Sequence, residues 1–303
     1  MKHTLSVVIS AYNEEKKLGT CLSSVAHLAD EIIVIDNSST DQTAKIAKSL
    51  KAAVYKRENN LMLNINKNYG FEKATGDWIL NLDADEEVTE ELKDEIQRIL
   101  ELEVSQAKKG YWIPRKNIIF GKWIQHGFWW PDKKLRLFQN RSGKFMCKHI
   151  HENIEVDGEM GELTHPYIHH NYDSVSQYLT KLERCTTSES IALREAQYQL
   201  SWFDAIRFPL SDFMKTYFAE SGYKNGLHGL VLSLFQAFYS FVVFTKLWEM
   251  EQFPQESMGL PIVLHEFKRA GKEFSYWMIT SRIKESPGIL DKLILKIRRR
   301  LSL

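Results

Sequence analysis

Four short runs, "LSVVISAY", "EIIVIDNSS", "AAVYKR" and "DWILNLDAD", are separated in the first hundred residues by segments such as "NEEKKLGTCLSSVAHLA" and "TDQTAKIAKSLK". The runs are rich in Val and Ile, and the separating segments carry helical spacing. Strands this continuously apolar are not built to face water on either side. The β-α-β-α-β order therefore calls for a parallel sheet covered on both faces and joined by right-handed crossovers. In such a sheet ligands bind beyond the carboxyl ends of the strands. Polar clusters stand at three of those ends: Asn13 and Glu14 after the first strand, Asp36 after the second, and Asp83 with Asp85 after the fourth.

The last cluster, in "WILNLDADEEV", drives an apolar strand directly into acid. If the strand continues, Asp83 and Asp85 share a face and repel each other, so positive charge belongs between them. Mg²⁺ suits the position, because it takes one or two carboxylates and completes its shell with water and phosphate oxygens. The competing reading makes these acids the N-terminal cap of the helix in "DEEVTEELKDEIQRIL". A dinucleotide site would need GxGxxG after the first strand and a P-loop would need GxxxxGK with Ser or Thr; the chain has neither. Asp36, in "VIDNSSTDQT", is placed to accept from a base N–H or a ribose hydroxyl, while "SSTD" equally reads as the start of a helix.

Whole-chain properties narrow the class. With 303 residues, 44% of them hydrophobic, the chain can bury a large core as one large domain or two modest ones. Its 40 Lys and Arg against 39 Asp and Glu leave a formal charge of +1, which gives no global field for nucleic acid. Cys21, Cys147 and Cys185 are scattered without CxxC spacing, which suits a reducing, cytoplasmic compartment. "MKHTLSVVISAYNEE" turns polar too early for a secretory signal.

"SVVISAYNEEKKL", "EIIVIDNSSTDQT" and "NKNYGFEKATGDWILNLDADEE" together resemble the family 2 glycosyltransferases of the GT-A fold. The resemblance implies a mixed α/β sheet with helices on both faces and a nucleotide-sugar donor, a UDP-sugar being expected. It implies that Asp36 contacts the base and that Asp83 and Asp85 hold a divalent metal, Mg²⁺ or Mn²⁺, against the diphosphate. Asn13, Glu14 and Lys67 complete the donor site; as a plain sequence feature, Lys67 reads equally as a solvated lysine.

Inverting sugar transfer also needs a base for the acceptor hydroxyl. Glu152 is the only acid between Asp132 and Glu155. "PDKKLRLF", "HIHENI" and "HPYIHHNYDSVSQYLTKLER" resemble the bacterial subgroup that includes lipopolysaccharide core glycosyltransferases, and this implies that Glu152 is the base. It further implies that His169, with His170 second, completes the metal site. Crowding of His149, His151, His165, His169 and His170 leaves a zinc site as a rival, though no cysteine pair accompanies them. Arg136 either approaches the diphosphate or pairs with an internal acid. Trp123, Trp129 and Trp130, with Gly121 and Gly127, form an aromatic stretch suited to stacking on sugar as an acceptor-side lid, or simply to packing in the core.

After about residue 200 the pattern changes, so the expected division is a catalytic domain over 1–200 and an aromatic-rich helical region over 201–303. No Asp, Glu, Lys or Arg occurs from Gly226 to Thr245. An interfacial helix is the first reading of that segment, a buried helix the second and a membrane span the third. "GILDKLILKIRRRLSL" spaces Leu290, Leu293, Ile294, Ile297 and Leu301 helically among basic residues, the pattern of a helix that binds anionic lipid, or of a solvated terminal helix. The expected enzyme is a metal-dependent inverting transferase, peripheral on the inner face of the cytoplasmic membrane, acting on a lipid-linked glycan. Transfer to a lipid phosphate carrier or protein side chain, or a non-catalytic nucleotide-sugar-binding scaffold, are the alternatives.

Overall fold

The protein is described by a computed structural model covering residues 2–60, 62–103, 106–148 and 152–301. The chain divides into two compact units: residues 1–123 with 129–173, and residues 124–128 with 174–303.

The first unit begins with the alternation expected of it: β1 (Leu5–Ala11), α1 (Leu18–Val25), β2 (Glu31–Asp36), α2 (Thr43–Ser49), β3 (Ala53–Lys56), α3 (Leu63–Lys73) and β4 (Trp78–Asp83). After a turn come β5 (Glu86–Val88) and α4 (Glu90–Glu101). The rest is mostly strand: β6 (Gly110–Ile119), β7 (Lys122–Trp123), β8 (Asp132–Gln139), β9 (Gly143–Lys144), β10 (Glu155–Val156), β11 (Met160–Glu162) and β12 (Tyr167–Tyr172). The main sheet runs β3-β2-β1-β4-β8-β6-β12-β5, with β7 and β11 also paired to β6. β3, β2, β1 and β4 are mutually parallel, and β8 enters antiparallel to β4. The result is a mixed α/β sheet.

Alternate residues of β1 and β4 serve different cores. Leu5, Val7 and Ile9 join Trp78, Leu80 and Leu82 beneath α1, α2 and α4, contributing Leu18, Leu22, Ala47, Leu92 and Ile96. Val8, Ile33, Ile35 and Ile79 face the other way, onto Phe71 of α3. Helices thus cover both faces, which is why the strands had to be apolar throughout. Gly70 sets the height of α3: a Cβ there would lie 2.5 Å from a Val8 methyl and 3.1 Å from Ile35, so any side chain would lift the helix off the sheet.

The second unit holds α5 (Val175–Glu195), α6 (Asp204–Phe213), α7 (Leu227–Met250), α8 (Leu260–Glu285) and α9 (Ile289–Leu301). The change expected near residue 200 falls instead at Ser174. α5 belongs with the helices because Tyr178 stacks on Phe235 of α7 at 4.4 Å, and Ser190 Oγ donates to the Val243 carbonyl at 3.4 Å. α7 has two unlike faces. Leu232, Ser240, Val243, Phe244 and Leu247 are buried, while Leu227, Leu234, Phe238, Phe241 and Trp248 form an exposed row. Gln236 and Ser240 both donate to Asp212 Oδ2, tying the helix to α6. Among the described residues α7 is the one helix long and apolar enough to cross a membrane, and a third of its most apolar window is buried.

Candidate active site

In the sheet register Ala11 lies opposite Asp36 and Ser10 opposite Asp83, so the carboxyl ends of β1, β2 and β4 finish side by side. The loops there are cross-linked. Asn13, held at φ +54°, accepts from Thr40 N at 2.8 Å through Oδ1, and its own N–H donates to Ser39 Oγ at 3.0 Å. Glu14 N donates to Thr43 Oγ1 at 2.8 Å. Asp36 is buried, and its Oδ1 accepts from Ser39 N at 3.2 Å. That contact makes Asp36 a turn-forming residue of the β2 loop whatever else it touches.

The two aspartates of "DAD" do not share a strand face. β4 ends at Asp83 and the chain turns at Ala84 and Asp85 before β5, which separates the carboxylates and gives each its own partner. The capping alternative also fails, because Thr89 caps α4 by accepting from Leu92 N. Asp83 receives Lys67 Nζ at 2.5 Å and Arg136 Nη2 at 2.8 Å. Burial by itself would raise the Asp83 carboxyl, but those two cations prevail and hold it well below the usual carboxylate range. Arg136 is buried and reaches Glu86 Oε1 at 2.5 Å as well, while Glu86 Oε2 accepts from Asp83 N at 2.9 Å. Arg136 therefore pairs with internal acids. Burial pushes Glu86 up to about 7 despite the pull of Arg136.

Asp85 faces His169, whose Nε2 lies 3.5 Å from Asp85 Oδ2. Behind the ring, Nδ1 is 2.7 Å from Asn117 Oδ1. The Asn117 amide has a defined orientation, since its Nδ2 donates to the Trp129 carbonyl at 3.0 Å and to Asp132 Oδ2 at 3.3 Å. Oδ1 is thus the acceptor and His169 Nδ1 carries the proton, which leaves Nε2 turned towards the Asp85 carboxylate. An imidazole nitrogen and a carboxylate oxygen are both metal-donor atoms, and set 3.5 Å apart they suit a shared cation, with Asn117 as the outer partner that orients the imidazole. The residues fit a divalent metal as a two-donor half-site. Among the described residues no three His, Cys, Asp or Glu side chains already converge, because Asp83 is turned to Lys67 and Arg136. Asn117 was not singled out from sequence. Asn117→Leu is expected to cost about 1–3 kcal/mol by stranding buried donors and acceptors, read as a lower urea midpoint; an unchanged midpoint would remove the relay.

The other histidines disperse. His165 Nδ1 sits 3.2 Å from Glu95 Oε2, and strand alternation sends His170 away from His169 to Glu87 Oε2 at 3.1 Å. His149 and His151 lie outside the described residues. The zinc rival finds no cluster among those that are described.

Glu152 is held in a loop by three donors: Oε1 accepts from Asn64 Nδ2 at 3.1 Å and from Cys147 N at 2.6 Å, and Oε2 from Lys148 N at 3.1 Å. Asn64 opens the polar run "NINKN" of α3, and each of its other polar residues holds a different part of the site. Asn66 Nδ2 donates to Asn37 Oδ1 at 2.6 Å, Lys67 pairs with Asp83, and Asn68 Nδ2 donates to the Phe145 carbonyl at 2.8 Å. α3 is thus the spacer that joins the expected base to the aspartates. Its signal in the sequence was an asparagine-rich helix start with almost no amphipathic pattern. In the aromatic stretch, Trp123 and Trp130 meet edge to face at 5.3 Å, and Gly121 and Gly127 adopt φ of +77° and +86°.

Residues 6–151 match the family model described as glycosyl transferase family 2. An uncharacterised glycosyltransferase of Rickettsia typhi is 28% identical over 255 residues, covering 81% of this chain and 87% of that protein. The lipopolysaccharide core biosynthesis glycosyltransferase LpsC of Rhizobium meliloti is 25% identical over 256 residues, covering 82% and 93%. Among solved structures, glucosyl-3-phosphoglycerate synthase of Mycobacterium tuberculosis, crystallised with Mn²⁺, UDP and glucosyl-3-phosphoglycerate, is 27% identical with a TM-score of 0.25, over 28% of this chain and 34% of that one. The strand ends, the aspartates and their cations all fall inside the matched segment, and the chain carries a family 2 glycosyltransferase domain over residues 6–151.

Proposed function

We propose that the protein is a metal-dependent inverting glycosyltransferase that moves a sugar from a nucleotide-sugar, a UDP-sugar first among the donors, to a membrane-associated glycan such as lipopolysaccharide inner core. The observation that carries this reading is the row of carboxylates and cations at the ends of β1, β2 and β4: Asp36, then Asp83 with Lys67 and Arg136, and beside them Asp85 with His169. Similarity to LpsC along most of both chains supports the acceptor class.

In this mechanism the loops of Asn13, Glu14 and Asp36 seat the nucleoside. Asp85 and His169 would hold the metal, with Asp83 the next carboxylate along, and Asn117 keeps the imidazole oriented through Nδ1. When bound, the divalent ion supplies positive charge for the departing diphosphate. Lys67 adds charge at the same strand ends, while Arg136, paired with Asp83 and Glu86, fixes the Asp83 carboxylate in place. Glu152 takes the proton of the acceptor hydroxyl as that oxygen bonds to the anomeric carbon. The bond from that carbon to the diphosphate breaks with its electron pair, turning an α-linked donor into a β-linkage. The proposed setting is the cytoplasmic face of the membrane, with the protein held peripherally on anionic lipid.

The test is a melting-temperature series with UDP, GDP, CDP and dTDP, each with Mn²⁺ or Mg²⁺ and again with chelator. At about a hundred times Kd, one diphosphate with metal is expected to add about 2.7 kcal/mol to the folded state, and the chelator to remove most of it. Asp85→Asn should lose the metal-dependent part of the shift. A flat response to every nucleotide, with and without metal, would overturn the donor-site reading.

A further inference from the structure

In α9 the apolar residues face outwards. Leu295 is buried, and Arg299 on the same side donates to Thr280 Oγ1 at 3.3 Å and lies 5.2 Å over the Tyr276 ring, so this face packs on α8. At about 100° per residue, Ile289, Leu290, Leu293, Ile294 and Ile297 form an arc roughly opposite. Their exposures are 86%, 77%, 57%, 53% and 54%. A terminal helix that used its apolar face to close its own unit would show the reverse. Lys296 borders one edge of the arc and Arg298 the other, Arg300 lies at its C-terminal end, and five basic residues against Asp291 give the helix a net charge of +4 in a chain of +1.

We propose that α9 is a lipid-docking helix that lies in the headgroup region of an anionic membrane, its apolar arc inserted and its basic edges on lipid phosphates. The proposal rests on the peripheral membrane reading above and assigns the anchor within it. Charge selects the occupant: a neutral protein surface would satisfy the arc but not its basic edges, whereas an anionic bilayer satisfies both. The outward row of α7, Leu227, Leu234, Phe238, Phe241 and Trp248, has no such edges, since the segment from Gly226 to Thr245 has no charged residue. Of these two helices it is α9 that accounts for a preference for anionic lipid.

The experiment is vesicle flotation of the full chain with phosphatidylcholine alone and with phosphatidylglycerol as about a third of the lipid. The parent should float with the anionic vesicles only, and lose binding between about 0.05 and about 0.5 M salt as screening rises. The triple change Leu293→Ser, Ile294→Ser, Ile297→Ser should weaken binding by about tenfold or more. The triple change Lys296→Gln, Arg298→Gln, Arg300→Gln should weaken it by about fivefold per charge. A control, Leu234→Ser with Phe241→Ser on α7, should keep the anionic preference. Equal binding by the parent and both α9 variants would overturn the proposal, and so would loss confined to the α7 control. Light scattering of the vesicle-free protein adds a further test: if the α9 changes convert a dimer to a monomer, a second copy covers the arc and the proposal fails. The nucleotide-induced melting shift, measured on the same variants, should stay as in the parent, so that failure of lipid docking is told apart from failure of the donor-site reading.

Discussion

Glu152→Gln is expected to lower the rate of sugar transfer by about 10²–10⁴-fold, the range that a positioned general base contributes. The substitution keeps size and shape and removes only proton affinity. Its geometry also predicts a small structural cost. The glutamine oxygen can still accept from Asn64 Nδ2 and Cys147 N, but the new amide would face Lys148 N–H, one donor against another. About 1–3 kcal/mol of stability should go with that lost bond. The donor-induced melting shift should persist, because Asp83, Asp85 and His169 are untouched. If transfer stayed within a few-fold of the parent, Glu152 would be a loop anchor that merely holds Cys147 and Lys148, and the base would have to be sought elsewhere.

Arg136→Met should be the most destabilising single change at the strand ends, costing about 3–5 kcal/mol. Among the described residues Arg136 is the side chain that bridges Asp83 and Glu86, and it also lies 3.3 Å from the Tyr167 hydroxyl. Its removal leaves the buried Glu86 without the charge that offsets it and Asp83 with Lys67 alone, and methionine fills the space without replacing the contact. The melting temperature should fall by on the order of 10 °C. Combining Arg136→Met with Glu86→Gln should recover part of the loss, because the second change removes the stranded carboxylate. A single variant melting within about 2 °C of the parent would show that the bridge adds little to stability. No recovery in the double variant would mean that the damage comes from packing rather than charge.

Much of this site was legible because its signals are local. Apolar runs of strand length ending in carboxylates placed Asn13, Glu14, Asp36 and Asp83 at the ends of parallel strands, and that is where they stand. The apolar spacing and basic residues of "GILDKLILKIRRRLSL" indicated an amphipathic helix, and α9 forms over Ile289–Leu301 of it. Strand alternation, by contrast, misled at Asp83 and Asp85. The rule that i and i+2 share a face holds only while the strand continues, and here it ends between them. The division near residue 200 was read from a change in composition, whereas α5 was assigned by its contacts with α7.

What the sequence determined by itself was the class of sheet, the strand ends that carry carboxylates and the amphipathic tail, because period, apolar continuity and charge are properties of neighbouring residues. Only the tertiary structure decided which cation meets which acid. β8 lies antiparallel beside β4 and brings Arg136 to Asp83 and Glu86, β12 beside β5 brings His169 to Asp85, and α3, lowered onto the sheet at Gly70, carries Asn64 to Glu152 and Lys67 to Asp83. These partners are from 16 residues apart, for Lys67 and Asp83, to 88, for Asn64 and Glu152, and they meet because an order of strands in space, which no local pattern encodes, sets each of them at the same end of one sheet.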